Sequence, residues 1–278
     1  MDIVSRIDDL RRRLEQERMV ALVPTMGNLH DGHLALVRIA KARGGCVVAS
    51  LFVNRLQFAP HEDFDRYPRT FEADCGKLAA EAVDICFAPD ENELFPEPQE
   101  FLVEPPALAR ELEGEYRPGF FRGVSTVVLK LFNIVQPRVA VFGKKDYQQQ
   151  LLVRNMGRQL NLPIEIVSGE TVRESDGLAL SSRNQYLTRD ERTKAPRLYR
   201  TLERIRERLY AGRRDFPVLE AEGSQELDLD QWNTDYVAVR KQADLQSASA
   251  ADRDLVVLAA ATLGRTRLID NVEVTLRA

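Results

Sequence analysis

Short apolar runs alternate with amphipathic stretches through the first two thirds of the chain. Runs of strand length fall at residues 20–23, 46–53, 84–88, 138–142 and 163–167. Val, Ile and Phe dominate them without polar alternation, as expected of parallel strands covered on both faces. Between them, residues 34–42, 71–83, 124–135 and 147–160 repeat apolar positions at the helical period. Strand, helix, strand in that order is a βαβ series. It predicts an α/β fold with a Rossmann-like, doubly wound parallel sheet. Ligands of such sheets gather outside the carboxyl ends of the strands, so the residues that follow each strand are the ones to read for chemistry.

After Ser168 the pattern changes. A polar stretch, residues 171–184, leads into Thr188-Arg189-Asp190-Glu191, whose spacing is that of a capping box and predicts a helix running to about residue 211. An acidic segment, residues 220–230, and three strand-like runs at 235–239, 255–260 and 267–270 follow. Two domains are predicted: the sheet domain over residues 1–171, then a smaller α+β domain over residues 172–278, hinged near Thr171. Repeats and low-complexity tracts are absent from the sequence.

Composition narrows the functional classes. The chain has 278 residues, 44% hydrophobic and 29% charged, enough for a sizeable core and ordinary for a globular protein. A net charge of −4 argues against a general nucleic-acid binder, so positive charge for any anionic ligand has to be gathered locally. The first residues are studded with Asp, Arg and Glu, unlike an export signal, and no apolar run approaches bilayer length. A cytoplasmic protein without membrane contact is expected. Cys46, Cys75 and Cys86 lack metal spacing and read as reduced, inert thiols.

The first apolar run ends in Pro24-Thr25-Met26-Gly27-Asn28-Leu29-His30-Asp31-Gly32-His33, where a helix begins. Two of the chain's three histidines sit at this junction. Asp31 is placed to cap the helix, and Gly32 lets backbone approach a ligand. A strand-to-helix turn with free amides at the positive end of a helix dipole is an anion site. Imidazoles there can donate to phosphate oxygens as charge develops on an attacked phosphorus. The plain alternative, a cap and two turning glycines, leaves the pairing of His30 with His33 unexplained.

Three other segments carry candidate groups. The second run leads into Asn54 and Gln57, neutral amides able to orient a small polar substrate. The run at 138–142 leads into Gly143-Lys144-Lys145-Asp146-Tyr147-Gln148-Gln149, where Gly143 permits a tight turn and Lys145 offers a point charge to phosphate. Asp146 and Gln149 also read as a capping box. The polar loop holds Ser181-Ser182-Arg183, a sequence suited to a mobile phosphate clamp but a weak signal alone. Arg117-Pro118-Gly119 reads as a flexible lid edge. His61, Trp232 and the acidic segment read as surface or packing features.

The turn at 24–33 resembles the signature of the nucleotidyltransferase superfamily, and at full length that of the pantothenate synthetases. Asp65-Arg66-Tyr67-Pro68-Arg69-Thr70, Lys145-Asp146-Tyr147-Gln148-Gln149, Ser181–Arg183, Phe121-Arg122-Gly123 and Leu268-Ile269-Asp270-Asn271 resemble the same family, so the likeness spans roughly residues 20–271. Arg55, Phe120 and Leu180 depart from the Pro, His and Met that are usual there. The resemblance implies an ATP-dependent ligase that adenylates pantoate, joins it to β-alanine and releases AMP and pyrophosphate. It also implies small-molecule partners only, Mg2+ carried with the nucleotide rather than by a protein metal site, and a homodimer built on the first domain.

The same likeness assigns roles. His33 is the main catalytic group, and His30, Lys145, Ser181, Ser182 and Arg183 hold the triphosphate. Met26, Gly27, Asn28, Leu29, Asp31 and Gly32, with Gly143, Lys144, Asp146, Val172 and Leu180, complete the ATP site, over which the second domain closes. Leu180 is expected to meet the nucleotide through its backbone. Gln57 and Gln149 bind pantoate. A cytidylyltransferase-like enzyme would explain His30 and His33 but not Gln57 and Gln149, and a non-catalytic nucleotide-binding regulator would be free to lose His33 and Lys145.

Overall fold

The computed structural model describes residues 1–60 and 62–277, so His61 lies outside the described residues. Its first part runs β1 (Asp2–Val4), α1 (Ile7–Leu14), β2 (Val20–Thr25), α2 (Asp31–Ala42), β3 (Cys46–Leu51), α3 (Phe71–Ala80), β4 (Ile85–Phe87), α4 (Glu91–Leu94), α5 (Glu113–Tyr116), α6 (Phe120–Val135), β5 (Val139–Gly143), α7 (Tyr147–Gln159) and β6 (Glu165–Gly169). The strands form one parallel sheet in the order β1-β4-β3-β2-β5-β6. All six residues of β3 are buried, which is why that strand reads as an unbroken apolar run. Ala21, Val23, Val47, Ala49, Val139 and Val141 form the centre of the core, closed by Leu36, Val37 and Ala40 of α2.

The strand order reverses at β2, whose neighbours are β3 on one side and β5 on the other. That reversal is the switch point of a doubly wound sheet, and it directs attention to the residues after β2 and β5. The edge strand β1 is an addition to the expected fold. It has three residues, none of them buried, and so carries no apolar signal.

The chain separates into two compact units, one of residues 1–144 and 149–170, the other of residues 145–148 and those from 171 on. The second unit contains α8 (Arg189–Lys194), α9 (Arg197–Tyr210), α10 (Phe216–Asp228) and an antiparallel sheet of β7 (Trp232–Lys241), β8 (Asp254–Leu263) and β9 (Thr266–Thr275) in that order. Thr188 and Glu191 form the expected capping box: the Glu191 N–H donates to Thr188 Oγ1 at 3.3 Å and the Thr188 N–H to Glu191 Oε2 at 2.7 Å. The helix they open stops at Lys194 rather than near residue 211. Pro196 begins a new helix there, because proline cannot donate to the preceding turn and its ring crowds that turn's carbonyl.

Leu198, Leu202, Ile205 and Leu209 of α9 pack with β8 and β9 into this unit's core, which also takes Trp232. The acidic segment is the helix α10, whose Glu220, Glu222 and Glu226 pair with Arg240, Arg213 and Arg204. Among the described residues no helix is long and apolar enough to cross a membrane.

Candidate active site

The turn after β2 is built around a carboxylate from α3. Asp74, 1% exposed, accepts the N–H groups of Asn28 at 2.8 Å and Leu29 at 2.7 Å and the Thr70 hydroxyl at 3.1 Å. Gly27 adopts φ +82°, and a Cβ there would lie 3.1 Å from Asp74 Oδ2. A left-handed conformation next to a fixed carboxylate favours glycine. The expectation of free amides therefore needs correction at Asn28 and Leu29, whose donors point to Asp74. Among the described residues nothing accepts from the Asp31 and Gly32 amides, and these are the backbone donors left for an anion. Asp31 is also not the cap: His30 holds that position and Asp31 lies exposed in the first turn.

The two histidines are locked to each other. His33 Nδ1 accepts the His30 N–H at 3.3 Å, the His33 N–H donates to the His30 carbonyl at 2.8 Å, and the ring centroids lie 4.1 Å apart. An imidazole whose Nδ1 accepts carries its proton on Nε2, so His33 presents a donor on its far side.

Beyond β3, Asn54 is 1% exposed, and its Nδ2 donates to Gln57 Oε1 at 3.1 Å and to the Gly123 carbonyl at 3.2 Å. Gln57 Nε2 in turn contacts Met26 Sδ at 3.1 Å, so residues after two different strands meet. The turn carrying Gln57 lies directly on α6, where a Cβ on Gly123 would fall 2.1 Å from the Leu56 carbonyl oxygen. Arg117 closes the same region. It forms two bonds to Glu62, at 2.6 and 2.8 Å, one to the Gln57 carbonyl at 3.3 Å, and stacks 3.6 Å over Phe120. The expected lid edge at 117–119 is thus tied down at Arg117. Arg55 is exposed, pairing with Glu91 and lying over Phe64.

After β5, Lys144 pairs with Glu170 at 2.7 Å, which directs its charge to a carboxylate of the same unit. Gln149 is half-buried on α7 and, among the described residues, makes no side-chain hydrogen bond, whereas its neighbour Gln150 donates to Ser168 at 2.9 Å.

In the second unit the loop from Thr171 is ordered as a short hairpin. The Glu174 N–H donates to the Leu178 carbonyl at 2.8 Å and the Leu180 N–H to the Val172 carbonyl at 2.9 Å. The Leu180 N–H is therefore occupied, and its carbonyl is what the backbone can offer a nucleotide. Ser181 Oγ accepts the Arg183 N–H at 3.3 Å, opening a turn over Ser182–Tyr186. Arg173 anchors the hairpin through Asp270 at 2.6 and 2.9 Å, and stacks 3.9 Å over Tyr199. Burial pushes the Asp270 carboxyl above the usual carboxylate range, and the Arg173 guanidinium pulls it back. Lys145 belongs to this unit: its carbonyl accepts from Asn271 Nδ2 at 2.9 Å and its Nζ lies 3.8 Å from Asp146 Oδ1.

Asp74, Asn271 and Arg117 are structural partners that sequence reasoning missed. For Asp74 a signal existed, since it stands four residues before Leu78 and shares its buried face. Burial raises the thiols of Cys46 to about 11 and of Cys86 to about 12, which keeps both protonated and unreactive. Among the described residues no three His, Cys, Asp or Glu groups are placed to hold a metal ion.

A model of the family described as pantoate-beta-alanine ligase matches residues 2–273. A pantothenate synthetase of Nitrosospira multiformis is 59% identical over 99% of both chains. One from Nitrosomonas europaea is 58% identical over 99% of this chain and all of its own. The crystal structure of pantothenate synthetase from Thermus thermophilus superimposes with a TM-score of 0.95 at 45% identity, covering 99% of this chain and 100% of that one. A pantoate-beta-alanine ligase from Francisella tularensis, solved with beta-gamma ATP and beta-alanine, has a TM-score of 0.81 at 31% identity over 98% and 97% of the chains.

Proposed function

Since this chain belongs to the pantoate-beta-alanine ligase family, we propose the following division of labour among its residues. The reaction joins pantoate to β-alanine. Pantoate's carboxylate is a poor acyl donor until one of its oxygens becomes a good leaving group. ATP supplies that: the carboxylate oxygen bonds to the α-phosphorus, the bond to the β-phosphate oxygen breaks, and pyrophosphate leaves. The amine of β-alanine then attacks the acyl carbon of pantoyl adenylate, loses a proton and expels AMP.

Such chemistry asks for positioning and charge neutralisation more than for covalent help. His33 donates from Nε2 to an oxygen of the attacked phosphate, where negative charge grows in the transition state. His30 with the Asp31 and Gly32 amides, and Lys145, Ser181, Ser182 and Arg183 of the second unit, bind the triphosphate. Met26, Gly27, Asn28 and Leu29 shape the turn, while Gly143, Lys144, Asp146, Val172 and Leu180 serve the rest of the nucleotide. Gln57 and Gln149 clasp pantoate through neutral amides, which bind a carboxylate without blunting it as a nucleophile. Mg2+ comes with the nucleotide, as suits an ion that keeps phosphate and water ligands. A cytoplasmic homodimer built on the first unit is proposed on family grounds.

The hydrogen bond from the His30 N–H to His33 Nδ1 carries this reading, because it sets the tautomer that makes His33 a donor. The test is isotope exchange. With pantoate and without β-alanine, labelled pyrophosphate should enter ATP. Exchange that needs no pantoate, or ADP as the product, would sink the adenylate mechanism.

A further inference from the structure

The segment Leu268-Ile269-Asp270-Asn271 has no role in the chemistry above, yet two of its polar side chains are nearly sealed from solvent. Asp270 is 4% and Asn271 6% exposed. Neighbouring residues of a strand face opposite sides, and residues two apart share a face. On β9 this alternation is put to use. Asn271 donates from Nδ2 to the Lys145 carbonyl at 2.9 Å, and Glu273, on the same face, accepts from the Tyr147 hydroxyl at 3.0 Å. One face of β9 thus grips positions 145 and 147. Asp270, turned the other way, takes both forks of Arg173, whose Nη2 also donates to the Asn271 carbonyl at 3.1 Å. Arg173 opens the hairpin that leads to Ser181–Arg183, and through its Nη1 it holds the Gly177 carbonyl at 3.1 Å.

We infer that Asp270 and Asn271 are positioning residues for the nucleotide, holding the Lys145 turn and the hairpin before Ser181–Arg183 in one rigid frame. The inference rests on the reading of Lys145 and Ser181–Arg183 as triphosphate ligands. It explains why residues 145–148, which follow a strand of the first unit, group with the second. It also explains the residue types. A neutral amide at 271 donates to a carbonyl without placing a charge beside it, and a carboxylate at 270 matches the two-pronged guanidinium.

The experiment is a double-mutant cycle on the full-length enzyme. Asn271→Ala should raise the KM for ATP roughly three- to tenfold, the loss expected for one hydrogen bond, while the KM for pantoate stays within about twofold. In a Lys145→Ala background the same substitution should add nothing to the KM for ATP, because its effect passes through Lys145. A merely structural bond would lower the melting midpoint and leave both Michaelis constants alone. If Asn271→Ala does not fold, Asn271→Ser, whose side chain is too short to reach the carbonyl, is read in the same way. An unchanged KM for ATP in the position 271 variant, or additive effects in the double variant, overturns the positioning role. An unchanged KM for ATP in Lys145→Ala alone overturns the assignment of Lys145 as a ligand, and the inference falls with it.

Discussion

Asn28 and Leu29 hang on one buried carboxylate, whereas the loop 171–184 is buried only at Leu178 and Ala179 and exposed over residues 174–176. Asp74 takes two backbone amides and a hydroxyl, at 2.7–3.1 Å, and is 1% exposed. The loop has a comparable anchor in Arg173 and Asp270, but its outer part leans on Arg192, which pairs with Glu174 and Asp176 from a side chain 32% exposed. At Ser181–Arg183 the Ser181 hydroxyl accepts the Arg183 N–H, and just beyond them Asn184 Nδ2 donates to the Ala179 carbonyl, both short-range bonds. Buried, hydrogen-bonded charges hold a geometry firmly, while exposed pairs contribute little and are easily remade. The contrast fits the proposed roles: the turn with His33 must meet the attacked phosphorus in one geometry, and a loop that gathers the triphosphate must also release its products.

The largest expected effect lies at His33. Loss of one preorganised donor typically costs about 2.7–4 kcal/mol, or roughly 10²–10³ in kcat. His33→Ala should show that loss in steady-state kinetics, whereas Arg183→Ala should act mainly on the KM for ATP. Near-normal turnover in a folded His33→Ala enzyme would leave the histidine as a helix cap and nothing more.

Asp74→Asn comes next. An amide has one oxygen where the carboxylate has two, so either the Asn28 or the Leu29 N–H loses its acceptor inside the protein. The cost should be about 1–3 kcal/mol, read as a lower melting midpoint. Because the same turn carries the histidines, kcat should fall along with stability. A drop in midpoint with unchanged kcat would show that Asp74 supports the fold without setting the turn.

How much of this could be read in advance depends on how far apart the partners lie. The central strands were legible because parallel strands buried on both faces are unbroken apolar runs, as in β3. The break between α8 and α9 was also legible, in Pro196, and the helical period around it masked the signal. The His30–His33 turn could be located, but not its support, since Leu29 and Asp74 are 45 residues apart. Asn271 and Lys145 are 126 apart, and nothing local marks either as a partner. Pro118-Gly119 read as loose because composition reveals a pliable backbone and not the arginine beside it, which Glu62 and Phe120 hold.

Hydrogen exchange compares the two segments directly and should show a moderate difference. Without nucleotide, the Asn28 and Leu29 amides should exchange slowly, since both are bonded to a buried carboxylate. The Arg183 amide, bonded to the Ser181 hydroxyl at 3.3 Å in a half-buried turn, should exchange faster. Adding ATP should slow Arg183 and leave Asn28 and Leu29 nearly as they were. Equal protection of Ser181–Arg183 with and without ATP would contradict the clamp.

The smallest effect is expected from titrating Asp176. Its hydrogen bond from Arg192 holds the carboxyl below the usual carboxylate range, and the Leu178 N–H adds to this at 3.2 Å. A carboxyl depressed in the folded state contributes stability that is complete above the unfolded value, ordinarily about 3.9, and that is lost as pH falls through the lower folded value. Both partners are about one-third exposed, at 33% and 32%, so solvent screening limits the contribution to less than about 1 kcal/mol. Asp176→Asn should therefore lower the melting midpoint slightly at pH 7, and the gap to the unsubstituted enzyme should close as the buffer is taken from about pH 5 toward pH 3. Exchange at the Leu178 amide should follow the same course. The corresponding substitution at the other segment, Asp74→Asn, should keep a wide gap at pH 7 because the side chain that accepts these bonds is buried, at 1% exposed. Equal losses from the two substitutions at pH 7 would abolish the distinction between a turn held by buried bonds and a loop whose outer part is held by exposed ones.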